Sequence, residues 1–176
     1  MLIVGVLAGL LVGLAWTLHY EVVGRAQGQA AMVAGRFRTT GSRPTGATLM
    51  NASELPVFGV VAWAVTTGGT APGTGEEWVT RIRRREEPPG AQGPPRSGPV
   101  EAREALGPAL LALLPPGRTE LDQPTWARFA AGGQPAVEVA FTDASGQHWI
   151  LRGGGRLARI DTPAWRHYGF TSPDAV

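Results

Sequence analysis

The chain has no cysteine and no lysine. The first absence excludes disulfides, thiolate metal sites and cysteine nucleophiles. It leaves the compartment open, because a cysteine-free domain can sit on either side of a membrane. The second makes all sixteen basic residues arginine. Arginine does not titrate in the accessible range, so a pI of about 9.9 overstates the basicity of a chain whose net charge is only +2 over 176 residues. That balance is weak support for a nucleic-acid partner. Histidine is scarce and scattered, at His19, His148 and His167. No His/Asp/Glu spacing points to a metal site, and none is expected. The runs Gly68-Gly69 and Gly153-Gly154-Gly155 lack a following Lys-Ser or Lys-Thr and a helix, so they are not phosphate loops, and no cofactor is implied.

Charge is also missing from the first eighteen residues. Met1–Leu18 is apolar apart from Trp16 and Thr17. Eighteen helical residues span about 27 Å, enough for a bilayer core, and Val22 and Val23 can lengthen the span. Trp16 and Tyr20 fall where interfacial aromatics belong. A transmembrane helix over residues 1–23 is the preferred reading. A cleaved signal peptide and a buried core helix are the alternatives; no basic residue precedes the apolar run, which argues against the signal peptide. Arg25, Arg36, Arg38 and Arg43 all follow it, and the positive-inside rule then places the soluble part in the cytoplasm of a single-pass protein of the cell membrane. Gly5, Gly9 and Gly13 form a small-xxx-small face on which two such helices could pack, against the plainer reading that glycine is frequent here.

Residues 24–46 read as a linker or short juxtamembrane helix, with arginines that could rest against anionic headgroups. The folded domain is expected over residues 47–160. Ala47–Asn51 reads as a strand and Pro56 as the entry to the next. Val57–Val65 is apolar on both alternating faces, as in a central strand covered twice. Glu76–Arg83 reads as a strand with Trp78, Thr80 and Ile82 inward. Residues 84–99 are rich in Pro and Gly without apolar periodicity and read as a mobile insertion loop. In Val100–Leu114 the residues Leu106, Leu110, Leu111 and Leu114 fit a helical face that Gly107 and Pro108 interrupt, and a strand at Ala109–Leu114 is the preferred reading; Arg118–Leu121 reads as extended, and Pro124–Ala131 as a short accessory helix carrying Trp126 and Phe129.

Val137–Ile160 is the most legible stretch. Val137, Val139 and Phe141 alternate with Glu138, Ala140 and Thr142; Asp143-Ala144-Ser145-Gly146 is a turn; His148–Arg152 returns; Gly153-Gly154-Gly155 turns again; and Arg156–Ile160 gives a third strand. Asp143, Ser145 and His148 bring an acid, a hydroxyl and an imidazole close together, but within one hairpin. A hydrolytic triad needs these groups to converge from separate elements beside an oxyanion hole. No catalytic residue is assigned, and the chain is not read as an enzyme. Residues 161–176 form an aromatic tail that either packs over an open edge of the domain or stays disordered.

The expected fold is mainly β: an N-terminal transmembrane helix, then a small antiparallel β-sandwich with a short accessory helix. Three motifs resemble a group of uncharacterised small membrane-associated proteins of high-GC Gram-positive bacteria: Asn51-Ala52-Ser53-Glu54-Leu55-Pro56-Val57-Phe58, Leu114-Pro115-Pro116-Gly117, and Phe141-Thr142-Asp143 through Gly146 and Trp149 to Arg152. The resemblance covers about residues 25–160 and implies a membrane helix joined to a compact β-rich domain, with no activity attached. The expected function is therefore a membrane-anchored, non-enzymatic interaction or accessory module. Its partners would be the membrane through residues 1–23, a protein, and a second copy through the membrane helix. The candidate surface is Arg81, Arg83, Arg84, Arg85, Trp165 and Tyr168. The alternative is a peripheral binder of anionic lipid or nucleic acid through the arginine clusters.

Overall fold

The computed structural model describes residues 28–40, 43–68, 71–86, 107–122 and 133–170. The apolar run of residues 1–23 with Gly5, Gly9 and Gly13, most of the 84–99 loop, the expected helix at 124–131 and the last six residues lie outside them. Among the described residues no helix is long and apolar enough to cross a membrane.

The described residues form two antiparallel sheets. The smaller is built from β1 (Val33–Thr40), β2 (Arg43–Asn51) and β5 (Gly117–Leu121), in the order β1-β2-β5. The larger contains β3 (Val57–Thr67), β4 (Ala109–Leu114), β6 (Gln134–Thr142), β7 (His148–Leu151) and β8 (Leu157–Ile160), in the order β4-β3-β6-β7-β8. Besides the helical residues 28–31, the described residues hold two helices: α1 (Gly75–Glu86) and the single turn α2 (Ala164–His167).

The central strand β3 is covered on both faces, as its sequence implies. Its pairing with β6 sets Ala62 opposite Val139, Ala64 opposite Val137 and Trp63 opposite Glu138. Paired residues point to the same side of a sheet, so the two valines and two alanines form one face and Trp63 with Glu138 belongs to the other. The first face meets the small sheet. There Gly35 of β1 comes so close that a Cβ would lie 2.9 Å from methyl groups of both Val137 and Val139. The second face carries the C-terminal segment. The Trp63 ring meets Tyr168 edge-on at 5.6 Å and stacks with Phe170 at 6.0 Å. Near its start β3 takes one extra residue relative to β6, with Gly59 in the left-handed region at φ 54°.

The sheets are clipped together by Asn51, the last residue of β2. Its amide nitrogen donates to the carbonyls of Leu55 at 2.9 Å and Leu114 at 3.3 Å, and its amide oxygen accepts from the Ser53 hydroxyl at 2.6 Å and backbone N–H at 3.1 Å. Leu114 ends β4 in the large sheet, and Pro115-Pro116 then carries the chain to β5 in the small one.

Three expectations are corrected. The segment read as a linker over residues 24–46 holds all of β1 and the start of β2, so the domain begins before Ala47. Gly35 interrupts the apolar pattern because the neighbouring sheet leaves no room for a side chain. Glu76–Arg83 is helix rather than strand. Thr74 starts it: its hydroxyl accepts the Glu77 N–H at 3.3 Å, while the Glu77 carboxylate accepts the Gly73 N–H at 2.7 Å. This exchange satisfies N–H groups that a helix start leaves open, and Glu76 and Glu77 sit at the positive end of the helix dipole. Finally, residues 161–170 of the tail are ordered and lie over the face of the large sheet, not its edge; α2 packs against β3, β6 and β7.

Candidate functional site

Among the described residues, the largest concentration of ionisable groups lies where α1, β6, the β7–β8 turn and α2 converge on the large sheet. Glu138 is at its base. In sequence it alternates with Val137 and Val139 and reads as the solvent side of a half-buried strand, yet its side chain is fully buried. One carboxylate oxygen accepts from the Gly75 N–H at 2.7 Å and the Tyr168 hydroxyl at 2.8 Å; the other accepts from Arg152 at 3.0 Å. A buried carboxylate needs this degree of compensation to stay charged away from water.

Arg152 joins this base to the surface. Its guanidinium forms a fork with Glu76 of α1, at 2.6 and 2.9 Å, while the same Nη1 also donates to Glu138. His167 of α2 closes the cluster, with Nε2 2.8 Å from Glu76. Burial by itself would raise the Glu76 carboxyl; the hydrogen bonds from Arg152 and then His167 outweigh it and hold the group at about 2. The Glu76 hydrogen bonds raise Arg152 beyond its ordinary range. Burial first, and then the Glu138 charge, push the Tyr168 hydroxyl well above the usual tyrosine range. All four carboxylate oxygens of Glu76 and Glu138 have donors. The arrangement suits holding four chain segments together rather than moving a proton.

The Asp143–His148 hairpin resolves as the turn chemistry suggests. One Asp143 oxygen accepts from the Ser145 N–H, the Ser145 hydroxyl and the Gln147 N–H at 2.7–2.9 Å; the other accepts from the Trp149 indole N–H at 2.8 Å. Gly146 takes φ 81°. His148 turns instead to Thr142, with Nδ1 2.9 Å from the hydroxyl. Burial lowers the His148 imidazole below its ordinary value. Thus Asp143, Ser145 and His148 do not converge on a common point. Among the described residues no group of three or more His, Asp or Glu side chains is placed to hold a metal ion.

The arginine run expected to form one surface is divided. Arg81 and Arg84 line an open groove of about 510 Å³ with Glu76, Glu77 and Thr80, and Arg81 lies 5.9 Å over the Trp78 ring. Arg83 reaches the other way, against Gly169. Arg85 ends among side chains outside those described. Trp165 is half-buried beside Arg166, at 5.2 Å, and Tyr168 is only 2% exposed. Tyr168 is therefore core and not an exposed binding residue. On the outer face of the small sheet Arg38 is paired with Glu120 and Asp122.

The sheet edges differ in a way that the sequence did not single out. Among the described residues, three of the four edge strands carry charge: Arg36 and Arg38 on β1, Arg118 and Glu120 on β5, Arg159 on β8. The fourth, β4, reads Ala-Leu-Leu-Ala-Leu-Leu, with Leu110 50% and Leu113 46% exposed. Charged side chains are the usual means of blocking an edge against further pairing, and β4 has none. Helix α1 starts beyond its reach: β4 stops opposite Ala62, and the Trp78 indole takes over the β3 carbonyl at Ala64, at 2.8 Å. No family profile, curated protein or solved structure matches the chain.

Proposed function

We propose that this chain is a membrane-anchored, non-enzymatic interaction module that recruits a protein partner by strand addition to β4. The observation that carries the reading is the contrast among the edges: a six-residue apolar strand that pairs on one side only among the described residues, beside three edges guarded by charge. Strand addition derives affinity from main-chain hydrogen bonds, and the exposed Leu110 and Leu113 offer apolar contacts to the added strand. The anchor is the uncharged run Met1–Leu18. The arginine clusters support the lipid or nucleic-acid alternative less well, since Arg38 is neutralised and Arg83 points away from Arg81 and Arg84.

The test is cross-linked co-purification from membranes of full-length wild type and the Leu110→Lys/Leu113→Lys double variant. A protein captured by the wild type and lost from the variant, with thermal unfolding unchanged, supports the reading. Equal capture by both removes the β4 edge from it.

A further inference from the structure

The end of the sandwich at which the described chain begins is apolar and nearly free of charge. It is formed by residues 28–32, the β2–β3 turn, the β4–β5 turn and the β6–β7 turn. Gln29 ties three of these together. Its amide nitrogen donates to the Leu55 and Pro56 carbonyls, both at 3.2 Å, and its oxygen accepts the Ala144 N–H at 3.1 Å. Ala52 donates its N–H to the Met32 carbonyl at 3.0 Å. The side chains displayed at this end include Leu55, 54% exposed, Met32, 49%, and Phe58, 43%, with Phe58 directly opposite Leu113 across β3 and β4. Met32 and Leu55 line an open groove of about 500 Å³ with Gly28, Gln29, Ala52, Ser53 and Glu54. Across residues 28–32, 51–58, 113–117 and 143–147 the only charged side chains are Glu54 and the buried Asp143. The opposite end carries Arg152 and Arg156 in the β7–β8 turn.

From this we infer that Met32, Leu55 and Phe58 form a membrane-contact surface, on which the domain rests against the lipid bilayer that holds its N-terminal segment. The inference rests on the anchor reading above and adds the orientation of the domain. The tether selects lipid as the occupant. Residues 19–27 separate the uncharged run from Gly28, and nine residues reach about 30 Å when fully extended. Gly28 lies in this end, so this surface can go no farther from the membrane than that reach. Apolar side chains brought that close gain by entering the interface, where such groups sit about 5–10 Å into the headgroup and acyl boundary. Contact through Met32, Leu55 and Phe58 leaves the β4 edge free, with its partner held at the same membrane.

The absence of cysteine makes the test clean. Single variants Met32→Cys, Leu55→Cys and Gly154→Cys of the full chain carry a polarity-sensitive fluorophore after reconstitution into vesicles of phosphatidylcholine and phosphatidylglycerol. Gly154 lies in the β7–β8 turn, and a Cβ there meets nothing within 4 Å. Lipids brominated high on the acyl chain should quench the labels at 32 and 55 several-fold more than the label at 154, with blue-shifted emission at the first two sites. Brominated lipid separates burial in lipid from burial against another protein. Equal, weak quenching at all three sites in carbonate-resistant vesicles overturns the membrane-contact surface and leaves the anchor standing. Release of the chain by carbonate overturns the anchor and the surface together.

Discussion

Arg152 and Glu76 stand 76 residues apart in sequence and meet through two parallel hydrogen bonds of 2.6 and 2.9 Å. The pair fastens the β7–β8 turn to the first turn of α1, and through Nη1 it also neutralises Glu138 beneath. A planar fork is something arginine offers and lysine does not.

Arg152→Ala is therefore expected to leave the Glu138 charge buried with only two neutral donors. Breaking a buried pair from one side costs about 3–5 kcal/mol. Arg152→Lys should recover only part of this, because one ammonium cannot span both carboxylates with the same geometry. Urea unfolding of both variants at neutral pH gives the comparison. A loss below about 0.5 kcal/mol for Arg152→Ala, the level of an ordinary surface change, would show that the cluster holds nothing together.

Acid should weaken the same joint. The Glu76 carboxyl sits at about 2 in the fold against 4.5 as its ordinary value. A depressed carboxyl contributes stability that is fully present above its unfolded pKa and is lost as pH falls through the folded value, so the window here is pH 4.5 down to 2. The Glu76 side chain is 37% exposed, and solvent screening reduces the contribution to about 1 kcal/mol. Urea midpoints at pH 7, 4 and 3 should fall more steeply for wild type than for Glu76→Gln. Parallel curves would remove Glu76 from the account.

Asn51→Asp tests the clip between the sheets. The substitution keeps the shape and replaces the amide donor with an oxygen facing the carbonyls of Leu55 and Leu114. Asn51 is fully buried, so the lost donor and the added charge should together cost about 3 kcal/mol or more. Thermal unfolding is the measurement, and a shift within error would mean that the two sheets are held by packing alone.

Gly75→Ala sets two effects against each other. Alanine gains about 1 kcal/mol over glycine inside a helix. A Cβ at this position would lie 2.6 Å from both the Trp63 and Tyr168 rings, each of them buried. Overpacking of this kind costs about 1–3 kcal/mol, so the balance should be destabilising. A raised melting temperature would show that the α1 start can shift away from the sheet.

Several elements were legible because their signals are local. Val137, Val139 and Phe141 alternate along one strand, and Asp143 and Gly146 supply a turn within four residues. The two-sided apolar strand at Val57–Val65 needs nothing from elsewhere to be read. Helix α1 was missed because Trp78, Thr80 and Ile82 also satisfy a period of two. The deciding signal was present in Thr74-Gly75-Glu76-Glu77, whose side chains exchange hydrogen bonds with the backbone around the helix start. Strand β1 was missed because Gly35 looks like a breaker until the sheet beside it is in place.

By itself the sequence determined the β-rich class, the β6–β8 meander, the central strand and the uncharged N-terminal run, since each follows from spacing over a few residues. Only the tertiary structure decided which polar residues are interior. Glu138 occupies an outward position by alternation, and Tyr168 belongs to an aromatic tail. They meet because α1 and α2 cover one face of the large sheet and bring Gly75, Arg152 and Tyr168 to a single carboxylate. The same folding left β4 as the one edge without charge among the described strands. An edge is a relation between strands, fixed by which strand pairs with which, and that order is set by long-range burial and is absent from any local pattern.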